Sequence, residues 1–268
     1  MTLVVVPTPI GNLEDITLRA LRVLREADVI ACEDTRRTGR LLAHYEIENR
    51  GRLTSYHEYN EARKAPELAE MALTGTVALV TDAGTPLVSD PGHRLVTTCI
   101  EAGARVEALP GPSAALTALV VSGLPPEGAA IIGFPPRSGG ERRDLLRRIS
   151  EEEATFVLFE SPHRLAATLG ELPAEAGVAV CRELTKLHEE VFRGTAAQAA
   201  ERFAEGAKGE VVLVVRGGTG ARMRTLEEAV ELARRYAAEG ATASKAAARA
   251  ARETGFKKGE VYNRLVGG

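Results

Sequence analysis

Three segments of the chain combine glycine, proline and small polar residues next to short apolar runs. They are VPTPIGN at 6–12, TDAGTPLVSDPG at 81–92 and PGPSA at 110–114. Glycine lets a backbone approach a ligand closely, and proline fixes the shape of a loop in advance. Such loops also occur as plain surface turns, but three of them favour a small-molecule site built mainly from backbone groups and small side chains.

Two missing motifs narrow the chemistry expected of this site. No GxGxxG follows the first apolar run, and no GxxxxGK[ST] occurs in the sequence. The backbone cradles typical of dinucleotide and nucleoside triphosphate sites are therefore not expected. The pattern favours a nucleoside or an amino-acid conjugate, with Ser113 capping the helix that follows its loop.

The elements that must position these loops alternate between short apolar runs and helical patterns. The apolar runs lie at 3–6, 28–32, 53–56, 76–81 and 105–109. This alternation predicts parallel strands joined by crossover helices. Because the carboxyl ends of parallel strands meet at one edge of a sheet, the three loops are expected to gather there.

A second α/β unit is predicted after the proline- and glycine-rich stretch SGLPPEG at 122–128. Its predicted strands are those at 129–134, 155–159, 178–181 and 210–215, with a further strand at 189–193 that makes this sheet mixed. The glycine-rich stretch GGTG at 217–220 then breaks the pattern again. The fold class is therefore predicted as α/β, with a parallel-sheet domain at 1–122, a mixed-sheet domain at 128–218 and a helical tail at 222–268.

The composition is typical of a soluble globular protein, with 44% hydrophobic and 26% charged residues. Aromatic residues make up only 4%, so a surface of stacked aromatics is not expected. The cysteines Cys32, Cys99 and Cys181 stand far apart, which argues against a zinc site and a disulfide framework. No signal peptide or membrane span is apparent. We expect a cytoplasmic protein with no metal and no membrane association.

The charge of the tail differs from that of the rest of the chain. Residues 222–264 carry ten Lys and Arg against six Glu, a net charge of +4, whereas the whole chain has a net charge of −3. A basic end on an acidic body is expected of a protein that meets a polyanion there. A solvated helical face is the alternative interpretation.

Seven blocks of the sequence, in order, resemble one known family. They are PTPIGNLEDIT (7–17), CEDTRRT (32–38), TDAGTPLVSDPG (81–92), PGPSA (110–114), GFPPR (133–137), FESPHR (159–164) and ELTKLHEE (183–190). The family is that of the bacterial 16S ribosomal RNA cytidine 2′-O-methyltransferases, within the tetrapyrrole methylase superfamily. The resemblance runs through the whole chain, from Val4 to Leu265.

This resemblance implies a fold, a cofactor and a reaction. The fold is two α/β domains with S-adenosylmethionine bound in the cleft between them, usually in a homodimer. The reaction is 2′-O-methylation of a cytidine in the decoding region of 16S rRNA within the 30S subunit. The implied methyl-donor contacts are Pro9, Ile10, Gly84, Thr85, Pro86, Leu87, Ser113, Ala114, Phe159 and Leu184. Tetrapyrrole relatives commonly have Gly-Asp-Pro in the second loop. This chain has Gly84-Thr85-Pro86 at that place, which favours the RNA methyltransferases of the superfamily over those that act on tetrapyrroles.

Methylation of a ribose hydroxyl requires alignment with the methyl group and an acceptor for the hydroxyl proton. The candidate acceptors are Lys186, His188 and Glu160, in that order. A lysine crowded by Arg182 is expected to have a lowered pKa and to act as a base. Alternatively, Lys186 pairs with a nearby glutamate and Glu160 is a structural anchor.

Basic side chains are expected to contact RNA phosphates in three places. The candidates are Arg36, Arg37 and Arg40 after the second strand, Arg137, Arg142 and Arg143 at the entry to the second domain, and Lys245, Lys257 and Lys258 in the tail. The tail has the spacing of a helix–turn–helix, which also occurs as a plain packing unit.

Other functions are compatible with the same loops. A tetrapyrrole or corrin methyltransferase of this fold would need a wide apolar cleft between its domains to bind the substrate. The loops expected to face the cleft in this chain are instead rich in Arg and Glu. A non-catalytic protein that binds S-adenosylmethionine and RNA would differ only in lacking turnover. In a ribosome-assembly factor, the tail would carry the binding.

Overall fold

The first half of the chain forms a five-stranded parallel sheet in a computed structural model that describes residues 1–218, 226–254 and 256–267. Its strands are β1 (Thr2–Val5), β2 (Val29–Cys32), β3 (Leu53–Ser55), β4 (Thr76–Val80) and β5 (Arg105–Ala108). They lie in the order β3-β2-β4-β1-β5, and every pair is parallel. The prediction of a parallel first sheet is confirmed.

Helices follow each strand of this sheet. They are α1 (Leu18–Glu26), α2 (Thr35–His44), α3 (Glu61–Thr74), α4 (His93–Glu101) and α5 (Ala114–Ser122). Leu3 packs with α3 and α4 on one face, whereas Val4 packs with α1 and α2 on the other. Because its central strands are covered on both faces, their sequences are almost continuously apolar.

The second sheet is mixed, as predicted. Its strands are β6 (Ala130–Gly133), β7 (Thr155–Glu160), β8 (Gly177–Arg182), β9 (Glu190–Thr195) and β10 (Val211–Arg216), in the order β6-β7-β10-β8-β9. Within the described strands of this second sheet, β6–β7 is the only parallel pair. The helices of this unit are α6 (Gly139–Glu151), α7 (Leu165–Glu171) and α8 (Ala196–Arg202).

Helix α5 joins the two sheets. Its residues Ala115 and Ala118 are buried against Val157, Ala179 and Val214 of the second sheet. A helix that the sequence assigns to the region 1–122 therefore covers one face of the following sheet. The division into domains at 122 and 128 stays a proposal, and α5 keeps the edges of the two sheets facing each other.

The tail forms three helices with a small core of their own, α9 (Leu226–Ala238), α10 (Ala243–Thr254) and α11 (Lys258–Gly267). This core includes Tyr236 and Val261, and the Arg249 guanidinium lies 3.9 Å from the centre of the Tyr236 ring. Residues 219–225, which include the last two residues of the predicted GGTG break and the expected start of the tail, lie outside the described residues, as does Gly255. No helix within the described ranges is long and apolar enough to cross a membrane.

Candidate active site

Hydrogen bonds connect the three glycine- and proline-rich loops at the carboxyl edge of the first sheet. The backbones of Thr8 and Gly84 exchange two hydrogen bonds of 2.9 Å, and the Thr8 hydroxyl donates to the Thr81 carbonyl at 3.1 Å. The Thr85 hydroxyl donates to the Pro112 carbonyl at 2.9 Å. The loops after β1, β4 and β5 therefore form one connected unit, as their shared position at the sheet edge predicts.

Several residues in and around these loops have left-handed backbone conformations. Gly84 has φ +80°, and the non-glycine residues Leu87 and Ser89 have φ +73° and +67°. In the second unit, Glu183 and Thr185 have φ +52° and +67°. Such conformations are costly for residues with a side chain, and they are typical of functional sites held by the surrounding structure.

A cavity of about 390 Å³ lies where the loops of the first sheet face β7, β8 and β10 of the second. This volume is within the range of small-molecule sites. Seven of the ten predicted methyl-donor contacts line it, namely Ile10, Gly84, Thr85, Ser113, Ala114, Phe159 and Leu184. The fold thus brings together most of the residues that the resemblance implied.

The other three predicted contacts do not line this cavity. Pro9 lines a neighbouring cavity instead, and Pro86 is buried within its loop. Leu87 packs against the apolar cluster between the first sheet and helices α3 and α4. Their direct contact with a ligand in the cavity between the sheets stays a prediction, and their observed positions suit a role in fixing the shape of the loops.

Several lining residues were not foreseen from the sequence. They include Ala83, Val88, Ser89, Asp90, Phe134, Cys181, Gly209 and Glu210. Phe134 lies in the quoted block GFPPR, and its ring centre is 5.6 Å from that of Phe159. Burial raises the pKa of the Cys181 thiol to about 11, so this group stays protonated at neutral pH. The block GFPPR contains Phe134, but the sequence does not indicate that this ring lies beside Phe159. The pairing of β6 with β7 brings the two rings together.

Asp90 is the most perturbed carboxyl group of the site. Burial, reinforced by the charges of Glu33 and Asp82, raises its pKa to about 6, although the nearby Thr81 hydroxyl acts in the opposite direction. Burial and the Asp82 charge also raise the pKa of Glu33. Asp90 forms no ion pair within the described part of the chain. A carboxyl group that titrates near neutral pH at the wall of a cavity is a candidate proton acceptor.

Lys186 does not have the lowered pKa that the sequence suggested. Its Nζ donates to Glu183 at 2.8 Å and to Glu210 at 2.9 Å. Burial alone would lower its pKa, but these hydrogen bonds and charges outweigh burial and raise the pKa above its ordinary value. The expectation of a neutral lysine base is therefore wrong, because two carboxylates rather than Arg182 dominate its surroundings.

Glu160 is held in a buried network. Its carboxylate accepts from the Ser161 amide at 2.8 Å and from the Thr168 hydroxyl at 2.5 Å, and Arg164 lies 3.5 Å away. It lines the cavity, but its oxygens are engaged as the structural alternative predicts. His188 is exposed on the loop between β8 and β9.

Arg142 does not have the exposed position that an RNA contact requires. Its guanidinium donates to Glu171 at 2.7 Å, to the Pro136 carbonyl at 3.0 Å and to Thr168 at 3.0 Å, and the residue is only 8% exposed. This part of the RNA prediction is wrong, because Arg142 anchors α6 on α7. The remaining predicted RNA contacts are exposed, namely Arg36, Arg37, Arg40, Arg137, Arg143, Lys245, Lys257 and Lys258.

The two linked sheets and the cavity between them define a class of protein that comparison with known sequences identifies. The pattern of the Tetrapyrrole (Corrin/Porphyrin) Methylases matches residues 2–200. Two similar curated proteins are both named Ribosomal RNA small subunit methyltransferase I. The one from Halalkalibacterium halodurans is 43% identical over 98% of this chain and 93% of its own length. The one from Mesorhizobium japonicum is 46% identical over 98% and 91%.

Solved structures show the same fold. The uroporphyrin-III-C-methyltransferase of Thermus thermophilus has a TM-score of 0.57 and 25% identity, covering 82% of this chain and 96% of its own. A diphthine synthase has a TM-score of 0.61 at 16% identity, covering 81% and 90%. The chain therefore belongs to the tetrapyrrole methylases and, within them, to the family of ribosomal RNA small subunit methyltransferase I.

We predict that Gly84→Val abolishes binding of S-adenosylmethionine. Gly84 has φ +80°, and an added Cβ would lie 3.4 Å from Ile10 Cγ2, so a branched side chain would force the loop out of its present shape. Gly128→Val is the matched control, because Gly128 has φ +66° but lies in the linker with no atom within 4 Å of an added Cβ. Both variants are expected to lose about 1–2 kcal/mol of stability. Calorimetry that finds equal donor affinity in the two variants would contradict the assignment.

We predict that Asp90→Asn stabilises the protein at pH 8 but not at pH 4. Because the pKa of Asp90 is raised on folding, the folded state binds more protons between pH 4 and 6, and wild-type stability falls as pH rises through that window. Above pH 6 the penalty is constant, about 1 kcal/mol after allowing for the partial exposure of the side chain. Denaturant unfolding at several pH values measures this difference. The exposed Asp144→Asn is the control, and an equal pH-dependent gain there would refute the explanation.

Proposed function

We propose that this protein uses S-adenosylmethionine to methylate the ribose 2′-oxygen of a cytidine in 16S rRNA, in the decoding region of the small ribosomal subunit. The observation that carries the proposal is the cavity between the sheets, lined by seven of the ten residues implied as donor contacts. The names of the similar proteins support ribosomal RNA of the small subunit as the substrate class. The cytidine and its 2′-oxygen rest on the resemblance of the seven sequence blocks.

The lining of the cavity suits the chemistry of this donor. When bound, S-adenosylmethionine supplies an electrophilic methyl group on a positively charged sulfur. The apolar side chains of Ile10, Phe159 and Leu184 offer contacts to the adenosine, and Ser113 caps α5 with its side chain accepting from the Leu116 amide. Carboxylates on the same walls favour a cation. The expectation that no metal takes part stays a prediction.

Asp90 is the side chain that we propose as acceptor of the hydroxyl proton. With donor and RNA bound, the Asp90 carboxylate would accept the proton that the 2′-hydroxyl group loses as its oxygen takes the methyl group from the sulfur. Positioning supplies most of the acceleration, and proton removal adds to it. Of the earlier candidates, Lys186 stays protonated in its ion pairs and suits a role in holding Glu183 and Glu210.

The proposed substrate is 16S rRNA within the 30S subunit, and the active form is a homodimer in the cytoplasm. Exposed basic side chains near the cavity and in the tail, such as Arg37, Arg40 and Lys257, are the proposed phosphate contacts. Phosphate contacts position an RNA strand without reading its sequence. The choice of one cytidine would then depend on the shape of the assembled particle.

The experiment that tests this function supplies methyl-tritiated S-adenosylmethionine with 30S subunits, naked 16S RNA or a corrin precursor. We expect label in RNA, recovered as 2′-O-methylcytidine after digestion to nucleosides. Label on the corrin alone would replace the proposed substrate by a tetrapyrrole. Donor binding without label on any substrate would favour a non-catalytic sensor.

We predict that Asp90→Asn lowers the single-turnover methylation rate by about 100-fold or more, because a general base of this kind contributes at least that factor. In the wild type, the rate should rise as pH increases through about 6, where Asp90 loses its proton, and then level off. The variant should lack this rise. Calorimetric donor affinity, measured in parallel, distinguishes a lost base from a lost donor contact. An unchanged rate and pH profile would remove Asp90 from the reaction.

A further inference from the structure

A second cavity, also of about 390 Å³, lies on the other side of the Thr8–Gly84 bridge. In the loops after β1 and β4, consecutive residues line different cavities. Residues 8–9 and 81–82 line the second cavity, whereas residues 10 and 83–85 line the first, more apolar one. The two spaces are therefore neighbours, separated by the paired backbones of the loops after β1 and β4.

The walls of the second cavity differ in chemistry from those of the first. Helix α2 contributes Arg37 and Arg40, one turn apart, together with the Thr38 and Leu41 side chains. Leu13 adds an apolar surface at the opposite side. Guanidinium groups, hydroxyls and apolar surface in one cavity suit a ligand that combines a phosphate, a sugar and a flat ring.

Of the two guanidinium groups in the second cavity, one has no carboxylate partner among the described residues and is available to bind an anionic ligand group. Arg37 lies 3.1 Å from one Asp82 oxygen, and the other Asp82 oxygen accepts from the Asp34 amide at 3.2 Å. Arg36 is paired with Asp34 at 3.0 Å. Arg40 is exposed and forms no ion pair with any residue in the described ranges. The cavity thus carries a net positive charge, centred on Arg40, that a ligand phosphate would neutralise.

We propose that this second cavity binds one nucleotide of the substrate RNA, with its phosphate on Arg40 and Arg37 and its base against Leu13 and Leu41. The proposal rests on the proposed function, since the strand must present a ribose to the neighbouring donor cavity. No aromatic side chain lines the second cavity among the described residues. Guanidinium planes and aliphatic surface are the available substitutes for aromatic stacking on an unpaired base.

This arrangement gives the Thr8–Gly84 bridge a function beyond shaping the donor site. The paired backbones of the two loops form the wall between the proposed donor and the proposed nucleotide. A ribose at the rim of the second cavity therefore lies next to the first cavity. Pro9 belongs to this wall on the RNA side, which accounts for its absence from the donor cavity. Asp82 and Asp90 lie in the same loop, one at each cavity.

The test measures how salt affects the binding of 30S subunits and of 16S RNA to the full-length protein and its variants. Arg40→Ala should weaken binding and reduce the slope of log Kd against log salt by about one, as expected for one lost phosphate contact. Arg40→Lys should retain the slope. Arg22→Ala is the matched control, because Arg22 is exposed on α1, lines neither cavity and forms no ion pair in the described part of the chain.

Affinity for S-adenosylhomocysteine, measured by calorimetry, separates this proposal from the proposed function. We expect Arg40→Ala to keep wild-type affinity for that ligand while losing RNA affinity. A wild-type salt slope in Arg40→Ala, or an equal loss in Arg22→Ala, would overturn the nucleotide site and leave the methyltransferase function intact. A fall in S-adenosylhomocysteine affinity would show that the second cavity is not a separate site. Failure of the wild-type protein to bind either RNA would instead overturn the function and the nucleotide site together.

Discussion

Two backbone hydrogen bonds between Thr8 and Gly84 are the constraint on which both cavities depend. The parallel sheet brings the ends of β1 and β4 to one edge, but it does not determine how the loops beyond them run. The bridge fixes that path, and it requires Gly84 to take a left-handed conformation, with φ +80°. The Thr85–Pro112 hydrogen bond extends the same connection to the third loop, so a ligand meets a preformed surface.

The strained conformations and the buried carboxyl group of the site destabilise the protein, and packing elsewhere in the fold offsets this loss. Leu87 and Ser89 on one side and Glu183 and Thr185 on the other hold left-handed conformations that side chains disfavour. Asp90 keeps its carboxyl group where burial and neighbouring charge oppose ionisation. Leu87 packs against the apolar cluster of the first sheet, and Leu184, which lies between Glu183 and Thr185, is buried in the cluster around α5. Strain and a perturbed carboxyl at the same place are the physical signature of function rather than of packing.

Local patterns predicted much of the fold, whereas the residues that line the cavity between the sheets were named mainly from the resemblance of the seven sequence blocks. The alternation of apolar runs with helices predicted that the strands of the first sheet are parallel, and the further strand predicted at 189–193 lies close to the observed β9. What the sequence could not predict depends on contacts between distant residues. Lys186 has a raised pKa because its Nζ donates both to Glu183 and to Glu210, which is 24 positions away, and Arg142 is held in a buried position by its hydrogen bonds to Glu171 and Thr168. Likewise, no local signal indicates that α5 packs on the second sheet.

The donor and the RNA nucleotide are proposed to occupy adjacent cavities on either side of the Thr8–Gly84 bridge. A crystal structure of the protein with S-adenosylhomocysteine and a short cytidine-containing RNA tests this arrangement most directly. We expect the adenosine between Ile10, Phe159 and Leu184, and a nucleotide phosphate on Arg40. The cytidine 2′-oxygen should then point across the rim of the second cavity towards the sulfur and lie within reach of Asp90. Adenosine density outside the cavity between the sheets, or RNA bound away from α2, would contradict it.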